Sequence, residues 1–212
     1  MHYQTVLFDL DGTLLDSNAL IRASFEYTLD QYRIPYTDEE IQSYNGPPLW
    51  ETFHKLNPGK EEEMIRTYRT HNHKNHDDYV KLYPNVLETL EALKKDGIKM
   101  GIVTSKMREG VKLALSLTGL GQYADTVVTI DDITHSKPHP ESVIKAMTDL
   151  NSDAKTSVMV GDNYHDIIAG KNAGIDTVGV RWSHNGPDYL LQYEPTYMIN
   201  DMLDMLKIVR RS

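Results

Sequence analysis

The 212-residue chain contains no cysteine. Disulfide frameworks and thiolate metal sites are therefore excluded, and a reducing cytoplasm is the expected compartment. Long hydrophobic runs are missing too: none approaches the roughly 18 residues a membrane span needs. The first residues place Asp9, Asp11 and Asp16 behind a short apolar run with no basic leader, so neither membrane association nor a secretory signal is expected. Positive charge is scarce. Lys plus Arg number 22 against 31 Asp plus Glu, a net charge of −9. That balance predicts no nucleic-acid-binding face, and an anionic partner would need a metal ion or local cations. Repeats and low-complexity segments are also lacking. The 40% of hydrophobic and 25% of charged residues exclude a wholly disordered chain and suit one domain, or a domain with an insertion.

Short apolar runs rich in strand formers alternate with helical patterns. Thr5 to Phe8, Ile98 to Val103, Thr126 to Ile130, Ser157 to Val160 and Thr177 to Val180 read as strands buried on both faces. Between them, Val86, Leu87, Leu90 and Leu93 recur at helical spacing and end at Gly97, a C-terminal stop signal. Val111, Leu115 and Thr118 continue the alternation. Pro140 opens another helix, to Leu150, with Val143, Ile144 and Met147 on its apolar side. This alternation predicts an α/β fold, a doubly wound parallel sheet with helices on both faces. The stretch from Ser17 to Val80 breaks it. Helical patterns at Ala19–Tyr32, Asp38–Tyr44, Leu49–Leu56 and Glu61–His76 are punctuated by turns at Asn45-Gly46-Pro47-Pro48 and Asn57-Pro58-Gly59. Such a block is too long for an ordinary crossover. It predicts an inserted α-helical domain over residues 17–80, with residues 1–16 and 81–212 forming the core.

Carboxylates follow two of the apolar strands. In Asp9-Leu10-Asp11-Gly12-Thr13, Asp9 and Asp11 point to the same side of an extended chain, at the strand end where open α/β sheets place ligands. Asp11-Gly12 alone reads as a turn, but a turn leaves unexplained an Asp9 that repels Asp11 without a cation. In Gly161-Asp162-Asn163-Tyr164-His165-Asp166, a helix dipole accounts for Asp166 better than for Asp162. Asp9, Asp11 and Asp162 together make an all-oxygen set for a hard cation, and Mg²⁺ fits best. Thr104 and Ser105 end the second strand with hydroxyls and amides that suit phosphate oxygens, although such residues also cap many helices. Lys137, in His135-Ser136-Lys137-Pro138, would by itself be an ordinary solvated lysine.

In combination these motifs resemble the haloacid dehalogenase superfamily of phosphotransferases. Asp9 to Thr13, Thr104, Lys137 and Gly161 to Asp166 occur in that family's order at strand ends. The helical insert lies where members with a C1-type cap carry theirs. The resemblance covers the whole core and implies a Mg²⁺-dependent phosphohydrolase. Asp9 would be the nucleophile forming an aspartyl-phosphate, Asp11 the general acid and base, and Thr104, Ser105 and Lys137 the phosphate ligands. Asp162 would complete the metal site, and Asp166 would support it by bonding metal water or Lys137. Finer stretches are similar to PpaX-type inorganic pyrophosphatases. They include Gly46-Pro47-Pro48-Leu49, Ile102-Val103-Thr104-Ser105-Lys106 with Arg108, Asp131-Asp132-Ile133 through Lys137-Pro138, and Val180-Arg181-Trp182.

Pyrophosphate is accordingly the expected substrate, with Lys106 and Arg108, or His71 to Lys74, as cations for its second phosphate. Gly46 is the expected substrate-facing tip of a cap that moves as a lid. The alternatives are a phosphatase for phosphoglycolate or another small phosphomonoester, a mutase of the β-phosphoglucomutase kind, and a non-catalytic binding protein. A monomer or weak oligomer is expected. Gly119-Leu120-Gly121-Gln122-Tyr123-Ala124 matches a dinucleotide fingerprint but follows a helix and precedes a strand, the wrong order. His71, His73 and His76 scatter around one helix and read as a solvated surface. Met202, Leu203, Met205 and Leu206 read as core packing of a terminal helix.

Overall fold

The computed structural model describes residues 3–210. In chain order it contains β1 (Thr5–Phe8), β2 (Leu15–Asp16), α1 (Asn18–Gln31), α2 (Asp38–Ser43), α3 (Leu49–Leu56), α4 (Glu61–Tyr79), β3 (Lys81–Leu82) and α5 (Val86–Lys95). There follow β4 (Lys99–Val103), α6 (Arg108–Thr118), β5 (Thr126–Val128), α7 (Glu141–Asp149), β6 (Ser157–Gly161), α8 (Tyr164–Asn172), β7 (Asp176–Val180), β8 (Tyr197–Ile199) and α9 (Asp204–Val209). Met205, Ile208 and Val209 of α9 are buried, consistent with core packing at this end of the chain.

The main sheet has the order β5-β4-β1-β6-β7-β8 with every pair parallel. β1 is central, and all four of its residues are buried, as expected of a strand covered on both faces. The chain leaves β1 toward β4 on one side and reaches β6 on the other, so the strand order reverses at β1. That is the switch point where α/β sheets bind ligands. Leu7, Val103, Val128, Val143, Ala146 and Met159 pack in one buried cluster, each large side chain contributing about 1.5–3 kcal/mol. α5 ends at Gly97 with φ +73°, the left-handed stop its sequence pattern predicts.

Four elements differ from the sequence expectation. The third predicted strand stops at Val128 instead of Ile130. Thr129 explains this: its main-chain N–H and its hydroxyl both donate to Asp132 Oδ2, at 2.9 and 2.8 Å, and turn the chain into a short 3₁₀ segment over Ile130–Asp132. β8 has no counterpart among the expected strands, because three residues at a sheet edge show no periodicity. The two-residue strands β2 and β3, which pair with each other, are likewise too short to announce themselves.

The chain divides into two compact units, Met1–Asp16 with Leu82–Ser212, and Ser17–Lys81. The second unit is helical and has its own core of Phe25, Leu29, Ile41, Phe53, Met64 and Tyr68. Phe25 anchors it, with its ring centroid 4.8 Å from Tyr68 and 5.7 Å from Phe53. A capping box between Thr37 and Glu40 starts α2. Gly46 lies between α2 and α3 with φ +117°, a conformation that favours glycine. His76 is buried rather than solvated, which corrects the surface reading for that residue. His71 stacks on Tyr27 at 4.5 Å.

Candidate active site

Parallel pairing of β1 with β4 and β6 lines up three strand ends about 4.8 Å apart. Asp9 continues β1, its N–H donating to Val160 O at 2.9 Å. Thr104 continues β4, its N–H donating to Val128 O at 3.0 Å. Asp162 directly follows β6. Beyond Asp9 the chain folds back tightly at Gly12, whose N–H donates to Leu15 O at 2.7 Å. Gly12 has φ +87°, and a Cβ there would lie 2.3 Å from Asp162 Oδ2, so glycine is required by both backbone and space.

Lys137 joins these ends. Its Nζ donates to Asp9 Oδ1 at 2.7 Å, to Asp166 Oδ1 at 2.6 Å and to Val103 O at 3.0 Å. It arrives on a loop that Glu141, the first residue of α7, fastens. Glu141 Oε1 accepts the Thr134 N–H at 2.8 Å and Oε2 the His135 N–H at 2.9 Å. These two main-chain donors and the His135 ring hold the Glu141 carboxyl down at about 2. The Lys137–Pro138 peptide is cis.

Asp9, Asp162 and Asp166 are buried and carry oxygens within 4.8 Å of one another. Three carboxylates thus surround one ammonium. Burial is the largest influence on Asp9 and, with Asp166 and Asp11 nearby, pushes its carboxyl up to about 7 against the pull of Lys137. Asp162 is pushed well above the carboxylate range by burial and by Asp9 and Asp166. Burial alone would lower Lys137, but Asp166 and Asp9 outweigh it and hold the ammonium above the usual lysine range. Two like charges about 4 Å apart repel by roughly 4 kcal/mol at an effective dielectric near 20. An all-oxygen site with excess negative charge therefore fits a hard divalent cation such as Mg²⁺.

The expected residues fall into two groups. Asp9, Lys137, Asp162 and Asp166 converge. Asp11 does not place its carboxylate in the cluster: Lys106 Nζ donates to Asp11 Oδ1 at 3.0 Å and Oδ2 at 3.1 Å. The buried carboxylate cluster thus consists of Asp9, Asp162 and Asp166, and the Asp11 side chain lies outside it. Lys106, expected to face a second phosphate, is committed to Asp11, and its own N–H donates to Thr104 Oγ1 at 3.1 Å. Arg108 pairs with Asp132, and its N–H donates to Asp131 at 2.8 Å. Ser105 follows Thr104 at the end of β4 and is partly exposed. Gly46 belongs to the helical unit.

Two supporting residues carried no role in the sequence. Thr13 Oγ1 donates to Asp162 Oδ1 at 3.1 Å, and Ser183 Oγ donates to Asp162 O at 2.7 Å. Thr13 lies inside the Asp9 motif and its hydroxyl was a usable signal. Ser183, twenty-one residues from its partner, gave none.

The chain is similar to known proteins over nearly its whole length. The chain is 51% identical to pyrophosphatase PpaX of Bacillus velezensis, with 96% of this chain and 94% of the relative covered. It is 46% identical to pyrophosphatase PpaX of Oceanobacillus iheyensis over 99% of this chain and 98% of that one. Among solved structures, a protein named as a predicted phosphoglycolate phosphatase from Haemophilus somnus superposes with a TM-score of 0.88 at 26% identity, covering 99% of both chains. No helix among the described residues is long and apolar enough to cross a membrane. With the strand-end carboxylates, the buried lysine and a family model matching residues 6–180, the chain belongs to the haloacid dehalogenase-like hydrolases and is an enzyme of that family.

Proposed function

We propose that this hydrolase is a Mg²⁺-dependent phosphatase that cleaves inorganic pyrophosphate through an aspartyl-phosphate on Asp9. The observation that carries the chemistry is Lys137 Nζ, 2.7 Å from Asp9 Oδ1 and 2.6 Å from Asp166 Oδ1, a buried cation beside a buried carboxylate at the switch point. Support for the substrate comes from the full-length relatives named pyrophosphatase PpaX at 46–51% identity.

In this reading a carboxylate oxygen of Asp9 attacks phosphorus. A bond to the Asp9 oxygen forms as the bond to the bridging oxygen breaks. Asp11 gives its proton to that leaving oxygen, then takes one from the water that attacks the aspartyl-phosphate. The second step frees phosphate and restores Asp9. Lys137, Thr104 and Ser105 compensate charge on the transferring oxygens. Asp9 and Asp162, with Asp11 through its main chain, would hold a Mg²⁺ ion, which when bound would supply charge neutralisation between nucleophile and substrate. Asp166 keeps Lys137 in place.

Phosphate release measured with pyrophosphate, phosphoglycolate and p-nitrophenyl phosphate tests the substrate. Pyrophosphate should show the highest kcat/KM. A preference for phosphoglycolate, the activity named for the Haemophilus relative, would replace the substrate while leaving the mechanism. Asp9→Asn should abolish turnover on every substrate, because an amide is a poor nucleophile. Near-normal activity in that variant would remove the covalent step.

A further inference from the structure

Outside the carboxylate cluster, His135, His139 and Glu141 form a second group whose ligand-capable atoms all lie within 4.8 Å of one another. We propose that these three side chains bind a borderline divalent cation of the Zn²⁺ class, on the loop that delivers Lys137.

The donor set distinguishes this group from the buried one. Two imidazoles and one carboxylate suit Zn²⁺, Ni²⁺ or Cu²⁺, whereas Mg²⁺ prefers oxygen and keeps its waters. The rings are already together, with centroids 4.6 Å apart. Ligands on a tetrahedral Zn²⁺ with bonds near 2.1 Å lie about 3.4 Å apart, so small side-chain rotations close the group on an ion. Both rings are about half exposed, at 62% and 51%, which leaves access for the ion and for water in the remaining position.

The scaffold is held before any ion arrives. Glu141 is fixed by the N–H groups of Thr134 and His135. The His139 N–H donates to Ser136 O at 3.0 Å, and Asn172 Nδ2 donates to Pro138 O at 3.1 Å. Little loop entropy remains to be lost on binding, which favours affinity. The His135 ring N–H donates to Glu141 Oε2 at 2.9 Å. An ion bound between these atoms displaces that proton to solvent. Lys137 lies between the two histidines in sequence, yet its ammonium is buried against Asp9 and Asp166 and adds no exposed positive charge to the group.

Titration calorimetry of the full chain with Zn²⁺ in excess Mg²⁺, beside the His135→Ala/His139→Ala double variant, tests the site. Wild type should take up one equivalent of Zn²⁺ that the double variant binds at least about tenfold more weakly. Equal affinity in the two proteins overturns the proposal. Imidazole NMR of the unmodified chain gives a second reading that does not depend on the variant folding. Zn²⁺ should shift the His135 and His139 ring signals while those of His54 and His71 stay in place. Zn²⁺ binding that moves neither His135 nor His139 also overturns it.

Discussion

Asp166 divides its carboxylate between two tasks: Oδ1 takes the Lys137 ammonium at 2.6 Å, and Oδ2 accepts the Asn163 N–H at 3.0 Å as part of the capping box that starts α8. A helix N-terminus is thereby tied to the lysine of a loop 29 residues away. The close approach is possible because Gly161 leaves room for it; a Cβ there would lie 2.2 Å from Asp166 Cβ.

Removing the metal should destabilise the protein, because three buried carboxylates then face one ammonium. Mg²⁺ at about a hundred times its Kd contributes roughly 2.7 kcal/mol, which for a chain of this size raises Tm by about 5–10 °C over EDTA-treated protein. Asp162→Asn should lose that response while melting no lower than wild type in EDTA, since one buried like charge is gone. A Mg²⁺ shift of undiminished size in Asp162→Asn would exclude the cluster as the metal site.

Lys106 and Asp11 should act as one unit. Lys106→Ala and Asp11→Asn are each expected to lower kcat/KM, by about 10–100-fold and about 10²–10⁴-fold respectively. The double variant should be no worse than Asp11→Asn alone, because the lysine acts through the carboxylate it grips with both oxygens. Additive losses in the cycle would assign Lys106 a separate contact with substrate.

Gly12→Ala should weaken Mg²⁺ binding in a folded protein. The added Cβ sits 2.3 Å from Asp162 Oδ2 on a backbone at φ +87°, so Asp162 must rotate away from Thr13. Left-handed backbone at a non-glycine residue costs about 1–2 kcal/mol, or a Tm lower by about 2–8 °C. Calorimetric Mg²⁺ affinity equal to wild type would show that Asp162 yields without losing its ligand position.

Phe25→Ala should loosen the helical unit selectively. Truncating a buried phenylalanine costs about 3–5 kcal/mol, and Phe25 packs within the separate core of residues 17–81. Hydrogen exchange should show lost protection in α1, α3 and α4 while β1, β4 and β6 keep theirs. Uniform loss across both units would mean that they unfold as one.

Much of this protein is local in origin, and that part the sequence alone determined. Buried parallel strands demand continuous apolar runs, so Thr5–Phe8 and Ser157–Gly161 are visible as such, and Leu49–Leu56 follows from its own turns. Asp9, Thr104 and Asp162 are legible because each directly ends a strand, and the sheet carries them together whatever the loops do. The rest was decided by tertiary structure. The grip of Lys106 on Asp11 spans 95 residues and that of Lys137 on Asp9 spans 128; such distances encode no period. Which carboxylate joins the buried cluster depends on how a backbone turns after Gly12 and how a capping box aims Asp166. Those directions are set by strand register, burial and charge balance, which exist only once the sheet has formed.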